Sequence, residues 1–317
     1  ALHSTALGAA AGGCRMHPYV SEEEALTDVL RLSRGMTYKN SVAGLPLGGG
    51  KCVIIADPND PKKPELLRAF AAHVQSLNGR YWTAIDIGVG PADADILAER
   101  CDFIFARASQ YEKGFNPSAF TALGGFVGTK AATEVVLGRS DLKGLRVAVQ
   151  GLGATGYAFS KHLHDAGAVL TVTDVRHDVV DRAVVEFGAF AVDPDRIHVA
   201  DVDVFAPCAL GSVLDAQTIP RLNVQVVCGA ANNPFASRDD IEALHARGIT
   251  YVPDVIANAG ATIVGASTFL GETSRIEERL QAVGPLVEQV LQRAKTEDVS
   301  AHHVAADLAD ELEGMMG

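Results

Sequence analysis

The stretch VAVQGLGATGYAFSKHL, residues 147–163, constrains the fold most strongly. It contains Gly151-x-Gly153-x-x-Gly156, preceded by an apolar run that reads as a strand (145–150) and followed by a helical pattern. A lone glycine triplet is weak evidence; between a strand and a helix it is the setting a dinucleotide pyrophosphate requires. Gly151 permits the tight turn, Gly153 lets the backbone approach the phosphates, and Gly156 allows close helix–strand packing. The helix N-terminus favours phosphate charge. Asp174 ends the next apolar run, 18 residues after Gly156, where an acid would bind the ribose 2′-hydroxyl and repel a 2′-phosphate. NAD is therefore expected over NADP, although Arg176 stands close enough to leave NADP open.

Around this motif the pattern alternates. Strands are expected at 168–174, 202–208, 224–230 and 249–254, with helices between them, which predicts a parallel doubly wound sheet. The first half reads differently: a helix after Ser21, with Ser21 as N-cap and Glu24 three residues on, a strand at 52–56, a helix at 64–78, a strand before Asp86, a helix opened by Pro91, and a long helix near 118–136. The polar stretch LGRSDLKG (137–144) suggests a boundary. At 317 residues the chain is long enough for two domains. The fold expected is α/β in two domains with a cleft between them. Residues 1–137 form an α/β substrate-binding and oligomerisation domain and 138–270 a Rossmann NAD-binding domain. The helices of 271–317 are expected to pack back on the first domain.

Composition removes several function classes. The net charge of −12 disfavours nucleic acid, and no apolar run approaches the roughly 20 residues that span a bilayer. The opening ALHSTALGAAAGGCRM lacks the basic n-region of a secretory leader, and Ala1 is not an initiator methionine, so upstream residues remain open. The five cysteines are scattered, as expected of free thiols in a cytoplasmic protein. No metal is expected: His162 and His164 at i, i+2 point to different helix faces, and His302-His303 is a pair in the tail.

If NAD is bound, the first half must supply the chemistry. Lys51 follows Gly48-Gly49-Gly50 and leads into the apolar Cys52-Val53-Ile54-Ile55, an odd place for an ammonium group. A partly desolvated lysine beside a second cation gives up its proton more readily, which suits a general base. Lys39 is the candidate neighbour and could also grip a carboxylate. Asp86, at a strand end two residues before Gly88, is a candidate acid/base.

The blocks RLSRGMTYKNSVAGLPLGGGKCVI, GRYWTAIDIG, VAVQGLGATG, DVDVFAPCALG, VVCGAANN and YVPDVIANAG, in that order, resemble the glutamate/leucine/phenylalanine/valine dehydrogenase family over about residues 7–265. The resemblance implies reversible NAD-dependent oxidative deamination of an L-amino acid to a 2-oxo acid and ammonia. It implies that Lys39 binds the α-carboxylate, Lys51 activates water, Asp86 shuttles protons to the amino nitrogen, and Asn232 orients nicotinamide and substrate with Asn258 nearby. Gly12 and Ala84 join the candidate substrate contacts; Ala154, Thr155, Val175, Cys208 and Ala209 join the cofactor contacts. It also implies a homo-oligomer, from dimer to octamer.

Substrate choice rests on few positions. Glutamate enzymes of the family carry a lysine where Ala11 stands and a serine where Gly265 stands. Neither residue here offers a charge or a hydroxyl, so a distal carboxylate would be buried unpaired. Leucine enzymes carry larger apolar groups at both, so an enlarged pocket is expected, suited to L-phenylalanine or another aromatic substrate. The alternative is that a Phe or Met from elsewhere refills the space and the substrate is branched-chain. Thr262 is expected to face the pocket. Ile85 and Ala261-Thr262 depart from the branched-chain pattern. A reading of another class is an NAD-binding sensor without turnover.

Overall fold

The computed structural model describes residues 1–108, 116–209 and 211–314. The chain divides into two compact units: residues 1–116, 265–273 and 308–317, and residues 117–264 and 274–307.

The first unit is built on β2 (Ala10–His17). The N-terminal half of β2 lies between β3 (Gly48–Gly50) and β5 (Tyr81–Ala84), and its C-terminal half pairs with β4 (Cys52–Ile55). All three pairings are parallel, while β1 (Leu2–Ser4) adds antiparallel to β3. The register Ala11↔Gly49 resumes as Cys14↔Cys52 with the same offset. Residues 48–55 are therefore one line of chain, interrupted only at Lys51, which falls level with Gly13.

The helix Glu22–Val42 packs across β3. Its start follows the expected cap: Ser21 Oγ accepts from the Glu24 N–H at 3.1 Å. The Glu24 carboxylate reaches back one residue further than a capping box requires, to the Val20 N–H at 2.8 Å. Ala25 and Val29 face inward, whereas Leu26 and Leu30 are exposed. Leu67, Ala71 and Val74 of the helix Lys63–Ser76 and Ala94 and Leu97 of Pro91–Ala98 close a core over Tyr81, Met16 and Ile104.

The second unit holds a six-stranded sheet in the order β11-β10-β9-β6-β7-β8. The strands are β6 (Arg146–Gln150), β7 (Val169–Thr173), β8 (Phe190–Ala191), β9 (Val204–Pro207), β10 (Val226–Val227) and β11 (Thr250–Tyr251), and every pairing is parallel. This is the doubly wound Rossmann order, with its reversal point between β6 and β9.

The helix Pro117–Leu137 packs on the helices Ala154–Asp165 and Val283–Glu297. Small residues make this close approach possible: a Cβ at Gly125 would meet the Phe159 ring at 3.3 Å. The compact units thus divide near 116/117 rather than at the polar stretch 137–144, and residues 274–307 pack in the second unit. The end of the last helix (Ala301–Gly314) lies in the first, where Ser41 Oγ donates to the Ala309 carbonyl at 3.5 Å. Among the described residues no helix is long and apolar enough to cross a membrane.

Candidate active site

In the first unit the odd lysine has a partner. Lys51 Nζ lies 2.7 Å from Asp86 Oδ2, with the Lys51 side chain 7% exposed and that of Asp86 20%. Two glycines of β2 make room: a Cβ at Gly12 would strike the Gly50 carbonyl at 1.9 Å, and one at Gly13 would meet the Ile85 carbonyl at 2.4 Å and Asp86 Cβ at 3.0 Å. Asp86 opens a turn closed by reciprocal backbone bonds with Val89. Gly88 takes φ +77° in that turn, where a Cβ would meet the Met16 carbonyl at 2.1 Å.

Lys39 occupies the last turn of the helix Glu22–Val42, half-buried. That helix end is fixed on β3: fully buried Asn40 donates through Nδ2 to the Gly48 carbonyl at 2.6 Å, and Thr37 covers Gly49. The group in contact with Lys51 is a carboxylate, that of Asp86. Burial alone would push the Asp86 carboxyl up, but Lys51 and Arg15 outweigh it and hold the group below the usual carboxylate range.

Arg15 was missed by sequence reasoning. Its Nε lies 3.1 Å from Asp86 Oδ2 and its Nη1 3.0 Å from Asp28 Oδ2, which also accepts from the Tyr19 hydroxyl at 2.5 Å. The signal was available: an arginine inside the otherwise small and apolar AAGGCRM is as odd as Lys51 in its own segment.

Two of the substrate-pocket candidates share one cluster in the first unit. Ala11 and Ala84 are buried with Leu45, Leu47, Phe105 and Ala266, and the rings of Trp82 and Phe269 pack against them. Gly12 is fixed by the Tyr81 hydroxyl, which donates to its carbonyl at 2.6 Å. Gly265 is buried and Thr262 half-buried, both on the helix Gly260–Phe269. Phe269 did not figure in the sequence reading. Trp82 and Phe269 are tilted at 60°, and the Trp82 indole nitrogen is buried without a hydrogen-bond partner among the described residues.

In the second unit the glycine loop fits a dinucleotide. Gly151 takes φ +97° over the backbone of Ala209, and Gly156 packs on the Gly151 carbonyl and Cys208 Cβ. A Cβ at Gly153 would meet nothing within 4 Å, so this approach is open. Ala154 and Thr155 begin a helix whose N-cap, Gly153, offers no side chain to its first N–H groups. Gln150 Oε1 and Thr173 Oγ1, at the ends of β6 and β7, are buried without partners among the described residues. Asp174 is turned onto the loop, accepting from the Leu152 N–H at 2.6 Å and the Arg176 N–H at 2.9 Å. A cavity of about 450 Å³ beside it is lined by His177, Val180, Val192 and Arg196. Val175 is exposed. Burial pushes the Cys208 thiol up to about 12, so it serves as packing rather than as a nucleophile. Asn258, itself buried, donates through Nδ2 to Asn232 Oδ1 at 2.9 Å and to the Ala231 carbonyl at 3.1 Å.

Residues 1–102 match the model of the Glu/Leu/Phe/Val dehydrogenase dimerisation domain, and residues 182–311 match that of Glutamate/Leucine/Phenylalanine/Valine dehydrogenase. The chain belongs to this family. The leucine dehydrogenase of Geobacillus stearothermophilus is 45% identical, the alignment covering 98% of this chain and 85% of that one. The valine dehydrogenase of Streptomyces virginiae and the L-tryptophan dehydrogenase of Nostoc punctiforme are each 40% identical, over 98% of this chain and 88% of theirs. A crystal structure of L-tryptophan dehydrogenase from Nostoc punctiforme superposes with a TM-score of 0.86 at 37% identity, covering 99% of this chain and 91% of that one. Hetero-hexameric glutamate dehydrogenase from Thermus thermophilus, at 22% identity and a TM-score of 0.80 over 98% of this chain and 82% of its own, shares the fold. As a member of this family, the chain is an NAD-dependent amino-acid dehydrogenase.

Proposed function

We propose that the preferred substrates are branched-chain L-amino acids, leucine or valine, rather than the aromatic ones first expected. The observation that carries this reading is the Phe269 ring, packed with Trp82 against the cluster that contains Ala11 and Ala84. Volume given up at Ala11 is taken back by a ring from elsewhere in the chain, and a pocket refilled in this way fits a small branched side chain. The leucine and valine dehydrogenases among the relatives support it.

In this reading Lys39 holds the substrate α-carboxylate. Bound NAD supplies the hydride acceptor. Lys51 takes a proton from the water that attacks the imino carbon, and Asp86 passes a proton to and from the substrate nitrogen. Their 2.7 Å contact lets a proton be exchanged between the pair without solvent. Asn232, aimed by Asn258, orients the carboxamide of the nicotinamide. Asp174 holds the ribose, and its negative charge favours NAD over NADP. The chain assembles as a homo-oligomer through the first unit.

The deciding experiment compares kcat/KM for reductive amination of 4-methyl-2-oxopentanoate, 3-methyl-2-oxobutanoate, phenylpyruvate and indolepyruvate. A preference for the two aliphatic acids supports the reading. A preference for the aromatic acids returns it to the enlarged pocket, and binding of NADH without turnover of any would make the chain a sensor.

A further inference from the structure

Four charged groups and a phenol are strung together in the first unit, and the chemistry assigned above uses only the first two. Lys51 touches Asp86. Asp86 touches Arg15, Arg15 touches Asp28, and Asp28 accepts from Tyr19. The signs alternate, so the four ionic groups sum to zero. The Arg15 side chain is 18% exposed, and an arginine buried to that degree is retained only with partners for its charge.

Both cations bind the same carboxylate oxygen, Asp86 Oδ2. The carboxylate is thus gripped at one corner from two sides, and rotation about its Cβ–Cγ bond would break both contacts. Arg15 in turn uses opposite ends of its fork, Nε towards Asp86 and Nη1 towards Asp28 on the helix Glu22–Val42. The guanidinium therefore links β2, the long helix and the turn that carries Asp86.

We propose that Arg15 is a positioning residue for the deamination reaction. It fixes the orientation of the Asp86 carboxylate beside Lys51 and is itself anchored by Asp28 and Tyr19. This rests on the reading of Lys51 and Asp86 as the proton-transfer pair.

The titratable groups facing Asp86 are few. Lys51 comes from the break between β3 and β4, and Arg15 and Cys14 come from β2. Asp28 and Tyr19 are reached through Arg15. Asp93 is taken up by Lys63 at 2.7 Å. Burial pushes the Cys14 thiol well up, so it stays neutral throughout the working range. Arg15 is thus a cation in contact with Asp86 whose removal changes the charge beside the Lys51–Asp86 pair while both members are kept.

The test is the pH profile of kcat/KM for Arg15→Gln, Arg15→Lys and Asp28→Asn, with thermal melts and NADH titration of each. Removing a cation makes the coupled pair easier to protonate. The acid limb for Arg15→Gln should therefore move to higher pH by about one unit or more. Its kcat should fall by about a hundredfold with KM changed far less, as for a misplaced reacting group.

Arg15→Lys keeps the charge and loses the fork, so its limb should stay in place while kcat still falls. Asp28→Asn should lower kcat in the same direction by less. An unmoved limb and wild-type kcat in Arg15→Gln would overturn the proposal. If that variant does not fold, Arg15→Lys and Asp28→Asn decide, and wild-type kcat in both would overturn it. Asp86→Asn separates the two readings. Retained turnover there removes the proton-transfer role of Asp86, whereas its loss alongside an unaffected Arg15→Gln removes only the role of Arg15.

Discussion

The rings of Phe269 and Trp82 lie 4.4 Å apart, centroid to centroid. Phe105 stands 5.9 Å from Phe269, so three aromatic rings join the cluster that holds buried Ala11 and Ala84. Truncating the Phe269 ring should empty the space that a larger substrate needs. Phe269→Ala should raise kcat/KM for phenylpyruvate relative to 4-methyl-2-oxopentanoate by about tenfold or more, the scale at which apolar pockets discriminate. It should also cost about 3 kcal/mol of stability, the low end for a phenylalanine that is only partly buried. Steady-state kinetics and denaturant melts check both.

Lys51→Met should cut turnover by about a hundredfold or more, the usual scale of acid–base catalysis. NADH affinity should stay unchanged, because the glycine loop belongs to the other compact unit. Stability should fall by about 3 kcal/mol, since the variant leaves a half-buried carboxylate without its nearest cation. The double variant Lys51→Met/Asp86→Asn should recover part of that loss. Fluorescence titration of NADH and thermal melts separate these effects.

The pH dependence of stability has a definite sign. The Asp86 carboxyl is held below its ordinary range in the folded protein, because Lys51 and Arg15 outweigh the upward push of burial. The unfolded chain therefore binds that proton first. Its contribution is fully present above the usual carboxylate pKa and is lost as pH falls through the folded one. Melting temperature should drop on acidification below about pH 4, the ordinary Asp value, and Asp86→Asn should show a shallower drop over the same window.

Asp174 already accepts from the Leu152 N–H of the cofactor loop and from the Arg176 N–H two residues on. Asp174→Ala should weaken NAD binding by about tenfold, as expected for losing hydrogen bonds to a charged group. NADP should lose much less, because the repelling carboxylate goes and Arg176, 3.6 Å from it, is released. Calorimetric titration of both cofactors measures the ratio.

The second unit was the more legible half of the sequence. Its strands are short and buried, its helices intervene regularly, and the glycine turn sits where strand and helix meet, so local pattern and global fold agree. Only β8 escaped: two exposed residues, Phe190 and Ala191, carry too little pattern to read. In the first unit, Lys51 and Asp86 stood out because charge in apolar surroundings is conspicuous at one position. Arg15 gave the same signal and was passed over.

Phe269 could not be read in this way. It packs against the cluster that holds Ala11, 258 positions away. Comparing one pocket position at a time registers the side chain that shrank and not a distant ring packed against the same cluster. The same limit applies to Leu26 and Leu30, whose helical spacing says nothing about whether a neighbour reaches them.

The three glycines before Lys51 have a consequence for how such a chain can vary. A methyl at Gly48 would strike the Ser4 carbonyl at 2.1 Å, one at Gly49 the Thr37 side chain at 2.0 Å, and one at Gly50 the Tyr81 ring at 2.7 Å. No heavier residue fits at any of these positions without moving backbone or a buried ring, so the track that delivers the ammonium group is closed to drift. On the proposed reading, resizing the ring at 269 would alter what such an enzyme accepts while the glycine track and the ammonium group it delivers stay as they are.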